Sequence, residues 1–194
     1  MKKPQGLKKE QMLYIETAKQ KVVQLFYRFP EKEFSLSDIA KEAEVAKANL
    51  GAILVSLEAL GLIKVEKLTK IWRVKANQEN WFFKRSKIVY NLNFIYQSGL
   101  TEFLNQSYNH PRVIILFGSF RKGEDTSTSD IDIAIESDLA RDYKVLGLRQ
   151  LVDFEKTIGR SIQIHEFNRQ SIDRGLFNNI ANGIVLMGFL EVNK

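Results

Sequence analysis

The sequence predicts a protein of mixed helices and sheets, an α/β (α+β) fold class, built in two halves. In the N-terminal half, apolar residues recur at helical spacing and are followed by two short alternating runs on either side of a turn. In the C-terminal half, apolar runs rich in β-branched residues are separated by segments with helical spacing, which is typical of strands joined by helices. With 194 residues and a hydrophobic fraction of 44%, the chain is long enough for two small cores.

Positive charge is concentrated in the first half of the chain. Residues 1–87 contain 18 Lys and Arg against 10 Asp and Glu, a net charge of +8, whereas residues 88–194 contain 11 against 13, a net charge of −2. This asymmetry makes the N-terminal half a candidate for binding a polyanion. A Lys-rich surface that only maintains solubility is the alternative interpretation.

Cysteine content and hydropathy exclude several classes. The chain has no cysteine, so disulfides, thiolate zinc sites and cysteine nucleophiles are excluded. No apolar run approaches the roughly 20 residues that a membrane-spanning helix needs, and the first ten residues lack the apolar segment of a signal peptide. We therefore expect a cytoplasmic protein that does not interact with a membrane.

The N-terminal half contains three predicted helices and a hairpin. Apolar spacing predicts helices over residues 11–29 and 46–60, with a short helix between them that has Ser37 as its N-cap. Residues 62–66 and 70–75 alternate apolar and charged side chains around a short turn, which predicts a β-hairpin. This order resembles a winged helix-turn-helix domain, which we assign to residues 1–78.

The resemblance implies two groups of residues that contact double-stranded DNA. Lys47 and Asn49 would face the major groove from the third helix, while Lys67, Lys70 and Arg73 of the wing would meet phosphates. The third helix, however, presents few groups that could hydrogen-bond to bases; its small and apolar residues are Ala48, Gly51, Ala52, Val55 and Ala59. A face of this kind also suits docking to another protein, so both interpretations stay open.

Aromatic residues dominate the segment that connects the two halves. Residues 79–109 include Trp81, Phe82, Phe83, Tyr90, Phe94, Tyr96, Phe103 and Tyr108. Such a stripe is more often part of a core than a platform for stacking bases. We predict helices over residues 79–97 and 100–107 with a break at Gly99.

Two aspartates are predicted to lie on one face of a strand in the C-terminal half. Residues 113–117 form a continuous apolar run that predicts a buried strand ending at Gly118. Residues 130–136 alternate, so the isoleucines share one face and Asp130 and Asp132 share the other, about 7 Å apart. Two carboxylates this close repel each other unless a cation lies nearby. A hard divalent ion such as Mg2+ fits oxygen ligands best.

Residues suited to phosphate binding follow the first of these strands. Gly118 allows the backbone to approach a ligand closely, Ser119 offers a hydroxyl and an N–H, and Arg121 and Lys122 add positive charge. Phosphate at one end and a metal at the other suit nucleotide phosphoryl chemistry. The pattern is not a Walker loop, because the sequence has no G-x-x-x-x-G-K-[ST] motif.

Gly-Ser, ten residues and then Asp-x-Asp is the signature of the polymerase-β-like nucleotidyltransferase superfamily, and residues 110–194 resemble its small prokaryotic minimal members. The resemblance implies transfer of a nucleoside monophosphate from a nucleoside triphosphate (NTP) to an acceptor. Asp130 and Asp132 would hold Mg2+ or Mn2+, and Gly118 and Ser119 would hold the phosphates. Some minimal members pair with HEPN-type ribonuclease toxins, so such a protein is one candidate acceptor.

The sequence departs from the family pattern at Gln163. Family members commonly have a third carboxylate on this strand, and a neutral amide neither binds Mg2+ as strongly nor accepts a proton from a hydroxyl. His165 shares the face of Gln163 and is a second candidate for this position, with a strand-surface imidazole as the alternative. The rival function is therefore a catalytically weak or inactive, nucleotide-responsive regulator that binds DNA. Homo-oligomerisation is also left open.

The other elements of the C-terminal half are predicted from the same patterns. Helices are expected over residues 142–158 and 172–182, with a strand over residues 161–167 between them. Glu124 and Asp125, in the loop before Asp130, are expected to be solvated charges.

Overall fold

A computed structural model describes residues 16–68, 71–137, 140 and 142–192. The chain divides into two compact units between Tyr90 and Asn91. The predicted connecting segment, residues 79–109, spans this division.

The N-terminal unit contains the predicted order of helices and hairpin. Its elements are α1 (Ala18–Arg28), β1 (Glu33–Phe34), α2 (Leu36–Glu42), α3 (Lys47–Ala59), β2 (Ile63–Leu68), β3 (Ile71–Ala76) and the first part of α4 (Trp81–Ser98). The three strands form an antiparallel sheet in the order β1-β3-β2. Buried residues from α1, α2, α3 and the sheet, among them Phe26, Ile39, Leu54 and Val74, form one core. Whether this unit is a winged helix-turn-helix domain stays a prediction.

The first two helices, α1 and α2, both begin with a capping box. Thr17 caps α1 and exchanges hydrogen bonds with Gln20; residues 11–15 of the predicted first helix lie outside the described residues. Ser35 caps α2, where its side chain accepts from the Asp38 backbone N–H and the Asp38 side chain accepts in return. The prediction of Ser37 as the N-cap is therefore wrong, because Ser35-x-x-Asp38 satisfies two backbone donors whereas Ser37 lies within the helix.

The C-terminal unit is built on a five-stranded mixed sheet. Its elements are the end of α4, α5 (Leu100–Ser107), β4 (Val113–Phe117), α6 (Gly118–Lys122), β5 (Ile131–Glu136), β6 (Lys144–Leu146), a 3-10 turn (Arg149–Leu151), α7 (Val152–Ile158), β7 (Ile162–Phe167), α8 (Arg174–Ala181) and β8 (Ile184–Gly188). The strand order is β6-β7-β5-β4-β8. β5 and β7 are parallel, and the other neighbouring strands are antiparallel.

Apolar residues cover both faces of this sheet. One face packs Ile131, Ile133 and Ile135 with residues of α5 and α7. The opposite face packs Phe117, Ala134 and Phe167 with residues of α8. All five residues of β4 are buried, and the isoleucines of β5 share a face, as the sequence predicts. Asp132 lies on the opposite face of β5, where α8 also packs.

The helix predicted over residues 142–158 is wrong in its first half. Residues Lys144–Leu146 form the edge strand β6, which pairs with β7, and the helix begins only at Val152. The spacing of apolar residues fits a helix, but the open edge of β7 offers backbone partners that the periodicity does not reveal. Among the described helices, none is long and apolar enough to cross a membrane.

Candidate active site

The end of β4 lies directly against Asp132. Antiparallel pairing sets Phe117 opposite Asp132, and Gly118 follows with a φ of 72°. A β-carbon at residue 118 would collide with Oδ2 of Asp132, and L side chains rarely adopt this backbone conformation. Glycine is therefore needed both for its positive φ and for the close approach. The Gly-Ser and Asp-x-Asp ends of the motif meet at this point.

The paired aspartates lie at the start of β5. Asp130 immediately precedes the strand and Asp132 is its second residue; the Asp132 side chain is 25% exposed, and Asp130 is also only partly buried. Within the described ranges, no cluster of three or more His, Cys, Asp and Glu side chains could hold a metal ion. The donor set fits Mg2+, which proteins often bind through one or two carboxylates together with water and substrate phosphates.

Two side chains of β7 contact the aspartates. Parallel pairing sets Gln163 beside Asp132 and His165 beside Ala134. Gln163 Nε2 donates to Asp130 Oδ2 over 2.6 Å, and His165 Nε2 lies 3.1 Å from Asp132 Oδ1. The structure therefore brings together all four residues that were predicted to surround the metal position. Each carboxylate has a nitrogen partner on the strand where the resemblance implies a third carboxylate.

Tyr143 is a residue of this site that the sequence analysis missed. Its hydroxyl lies 2.5 Å from Nδ1 of His165, and the Phe117 ring packs edge-on against the imidazole with centroids 4.8 Å apart. Burial, with a further contribution from the negative charge of Asp132, raises the pKa of Tyr143. The sequence analysis places this residue in a helix over residues 142–158 and therefore does not identify it as part of the site. Its signal is the alternation of Tyr143 and Val145 ahead of Gly147, which is typical of a short edge strand.

A pocket of about 220 Å3 opens beside Gly118. It is lined by Phe117, Gly118, Arg121, Lys122, Asn179 and Asn182. The two predicted phosphate-binding cations of α6 therefore share a cavity with Gly118, and Ser119 lies in the same helix. Sites for whole drug-sized ligands start near 300 Å3, so this pocket suits part of a nucleotide. No sequence pattern indicates that the two asparagines near the end of α8 line this pocket.

Asp125 is buried, so the prediction of a solvated charge is wrong for this residue. Its side chain is 1% exposed, and Oδ1 accepts a hydrogen bond from Asn91 Nδ2 over 3.0 Å. Arg160 lies 4.0 Å from its other oxygen. The same Asn91 amide donates to the Phe120 carbonyl. These contacts fix the loop that leads from α6 to the aspartates. Glu124 is exposed, as predicted.

The predicted DNA-contacting residues lie in the N-terminal unit, apart from Lys70, which is outside the described residues. Lys47 and Asn49 are in the first turn of α3, and Lys47 Nζ donates to Ser37 Oγ over 3.0 Å. On the hairpin, the Lys67 ammonium lies 4.5 Å from the centre of the Trp72 ring, and Arg73 pairs with Glu33. Lys67 and Arg73 are surface-exposed, and each also contacts a neighbouring side chain.

Comparison with known families finds a match within the C-terminal unit. A mixed sheet that carries paired carboxylates beside a glycine at the end of the neighbouring strand is an arrangement suited to a phosphate-bearing ligand. A family model described as "Polymerase beta, Nucleotidyltransferase" matches residues 99–189. The match supports a polymerase-β-like nucleotidyltransferase domain in this part of the chain, and it contains every candidate site residue from Gly118 to His165. No curated protein matches the chain.

Proposed function

We propose that the protein is a nucleotidyltransferase that transfers a nucleoside monophosphate from an NTP to an acceptor and releases pyrophosphate. The observation that carries this proposal is the contact between the Gly118 backbone and the Asp132 carboxylate. It brings the Gly-Ser end of the motif, which would bind phosphate, next to the Asp-x-Asp end, which would bind the metal. The family match over residues 99–189 supports the same general chemistry.

Each site residue has a chemical role in this proposal. Asp130 and Asp132 would hold Mg2+ or Mn2+, which supplies positive charge to offset the charge that develops on the transferred phosphate. Gly118 and Ser119 would bind the outer phosphates through their backbone and hydroxyl groups. Arg121 and Lys122 line the pocket beside Gly118 and would add fixed positive charge where pyrophosphate leaves.

The alternative is a catalytically weak or inactive protein in which nucleotide occupancy regulates DNA binding. It is favoured by the contacts of Gln163 and His165, because both carboxylates already have nitrogen partners. An amide at residue 163 cannot accept a proton from an attacking hydroxyl. In this alternative the nucleotide binds and persists without transfer.

Transfer of a labelled nucleotide tests the proposal. The protein is incubated with each of the four NTPs, labelled on either the α- or the γ-phosphate, with Mg2+ or Mn2+ and with candidate acceptors that include RNA, the protein itself and a HEPN-type toxin. We expect incorporation of the α-label only, and loss of at least about a hundredfold in Asp130→Ala and Asp132→Ala, whose residues would bind the cation directly. Equal incorporation by the wild type and both variants would refute the proposal. Nucleotide binding with no transfer to any acceptor would favour the regulatory alternative.

We further propose that the N-terminal unit is a winged helix-turn-helix domain that contacts double-stranded DNA. The order of three helices and a hairpin, the three-stranded sheet and the net charge of +8 over residues 1–87 support this. Lys47 and Asn49 would enter the major groove, and Lys67, Lys70 and Arg73 would contact phosphates. Docking of another protein on α3 remains the alternative, since that helix carries few polar groups.

A further inference from the structure

Tyr143, His165 and Asp132 form a continuous hydrogen-bonded chain on one face of the C-terminal sheet. The Tyr143 hydroxyl lies 2.5 Å from Nδ1 of His165, and Nε2 of the same ring lies 3.1 Å from Asp132 Oδ1. His165 is only 8% exposed, with the Phe117 ring packed against it. Both ring nitrogens are therefore engaged, and packing restricts rotation of the imidazole.

With a neutral imidazole beside an ionised carboxylate, the three groups fit one arrangement of protons. An ionised carboxylate only accepts hydrogen bonds, so Nε2 must carry a proton to bond with Asp132. A neutral imidazole has one N–H, and Nδ1 is then an acceptor. The Tyr143 hydroxyl then donates to Nδ1. In this arrangement Tyr143 donates to the ring nitrogen that faces away from Asp132.

We propose that Tyr143 is a positioning residue: by donating to Nδ1, it selects the His165 tautomer whose Nε2–H holds the Asp132 carboxylate. The role of these hydrogen bonds in metal binding rests on the proposed function, in which Asp132 binds the divalent ion. Hydrogen-bond partners of metal ligands fix ligand orientation, and their loss typically weakens metal binding 10- to 100-fold. Tyr143 acts one bond further out, so we expect its loss to weaken binding about three- to tenfold.

Nitrogen NMR of the imidazole tests the proposal directly. The chain has two histidines, so a His110→Gln variant assigns the His165 signals in long-range proton–nitrogen spectra of protein labelled with 15N-histidine. We expect a protonated Nε2 and an unprotonated Nδ1 in the wild type, and a mixture of tautomers in Tyr143→Phe. Tyr96→Phe is the matched control, because it removes a phenol hydroxyl that bonds to the Leu186 carbonyl elsewhere in the unit; it should leave the His165 pattern unchanged.

Mn2+ titration followed by electron paramagnetic resonance measures the consequence for the ion. Affinity should fall about three- to tenfold in Tyr143→Phe and stay unchanged in Tyr96→Phe, with thermal melting confirming that both variants are folded. A wild-type ring protonated at Nδ1 alone or at both nitrogens overturns the proposal, and so does a tautomer pattern that survives Tyr143→Phe. The wild-type spectrum tests the proposed tautomer even if a variant fails to fold. Absence of Mn2+ binding to the wild type would instead refute the metal site of the proposed function, while the tautomer result stands by itself.

Discussion

Both units contain an arginine–glutamate pair, and the two pairs differ in solvent exposure. In the C-terminal unit, Arg169 Nε and Nη2 donate to the two oxygens of Glu136 over 3.0 and 2.9 Å, and the Glu136 side chain is 3% exposed. In the N-terminal unit, Arg73 Nε lies 3.4 Å from Glu33, with side chains 54% and 46% exposed. The carboxylate of the first pair is part of the interior, although Arg169 is 20% exposed and also lies 3.5 Å from Glu191. The second pair leaves both of its charges accessible to a partner.

The same contrast extends to other polar groups. Among the described residues, five of the six buried polar or charged side chains lie in the C-terminal unit, namely Asn91, Thr101, Asp125, Glu136 and His165; the sixth is Lys87 of α4. Buried polar groups are costly unless they are hydrogen-bonded. Glu136 lies on β5 and His165 on β7, so polar contacts form part of the interior of the C-terminal unit, whereas the described buried residues of the N-terminal unit, apart from Lys87, are apolar.

The largest expected effect comes from breaking the buried pair. Arg169→Met leaves the Glu136 carboxylate buried without its cation, and loss of one partner from such a pair costs about 3 kcal/mol. Arg73→Met removes an exposed pair, for which the loss is at most about 1 kcal/mol. Urea unfolding of both variants measures the two free energies of unfolding. Equal losses would show that the difference in exposure has no energetic consequence.

A smaller effect is expected from restoring a carboxylate beside the aspartates. In Gln163→Glu the amide that donates to Asp130 is replaced by a third negative charge, so we expect about 1.4 kcal/mol less stability without divalent ions and about tenfold tighter Mn2+ binding. Thermal melting with and without Mn2+ measures both. Gln170→Glu, at an exposed position, controls for the added charge. If Mn2+ restores no stability to Gln163→Glu, the carboxylates do not share an ion.

The smallest expected effect is on DNA affinity and comes from the exposed charges of the N-terminal unit. We expect duplex DNA affinity to fall as salt rises, with the slope of log K against log salt reduced by about 1 for each of Lys67→Gln and Arg73→Gln. Lys64→Gln is the control on the same hairpin, because Lys64 Nζ lies 2.7 Å from Glu79, a closer ion pair than the 3.4 Å between Arg73 and Glu33. Fluorescence anisotropy at several salt concentrations gives these slopes. A protein that binds no duplex at low salt contradicts the DNA-binding proposal.

Features that depend on nearby residues were predictable from the sequence. The buried strand before Gly118 and the alternation that separates the isoleucines of β5 from Asp132 both follow from local periodicity, and the structure has both. The capping box of Ser35 and Asp38 is also a local pattern, although the sequence analysis predicts Ser37 as the N-cap.

Features that depend on distant partners were not predictable. Asp125 is buried because Asn91, 34 residues earlier, donates to it. Tyr143 reaches the site because β6 pairs with the edge of β7, and helical periodicity gives no information about such pairing. To predict the contacts of Gln163 and His165 with the aspartates, one must know the register of β5 against β7, which local patterns do not reveal. Strand alternation predicts only that Gln163 and His165 share a face.

The parallel pairing of β5 with β7 also has a consequence for synthesis of the protein. Asp130 and Asp132 each bond to a residue 33 positions later in the chain, and a slip of one residue would bring Ile162 and Ile164 to face them instead. Contacts between distant segments form slowly, since the intervening chain must first be ordered. On the ribosome, the two carboxylates therefore cannot acquire these partners until β7 (Ile162–Phe167) has been synthesised.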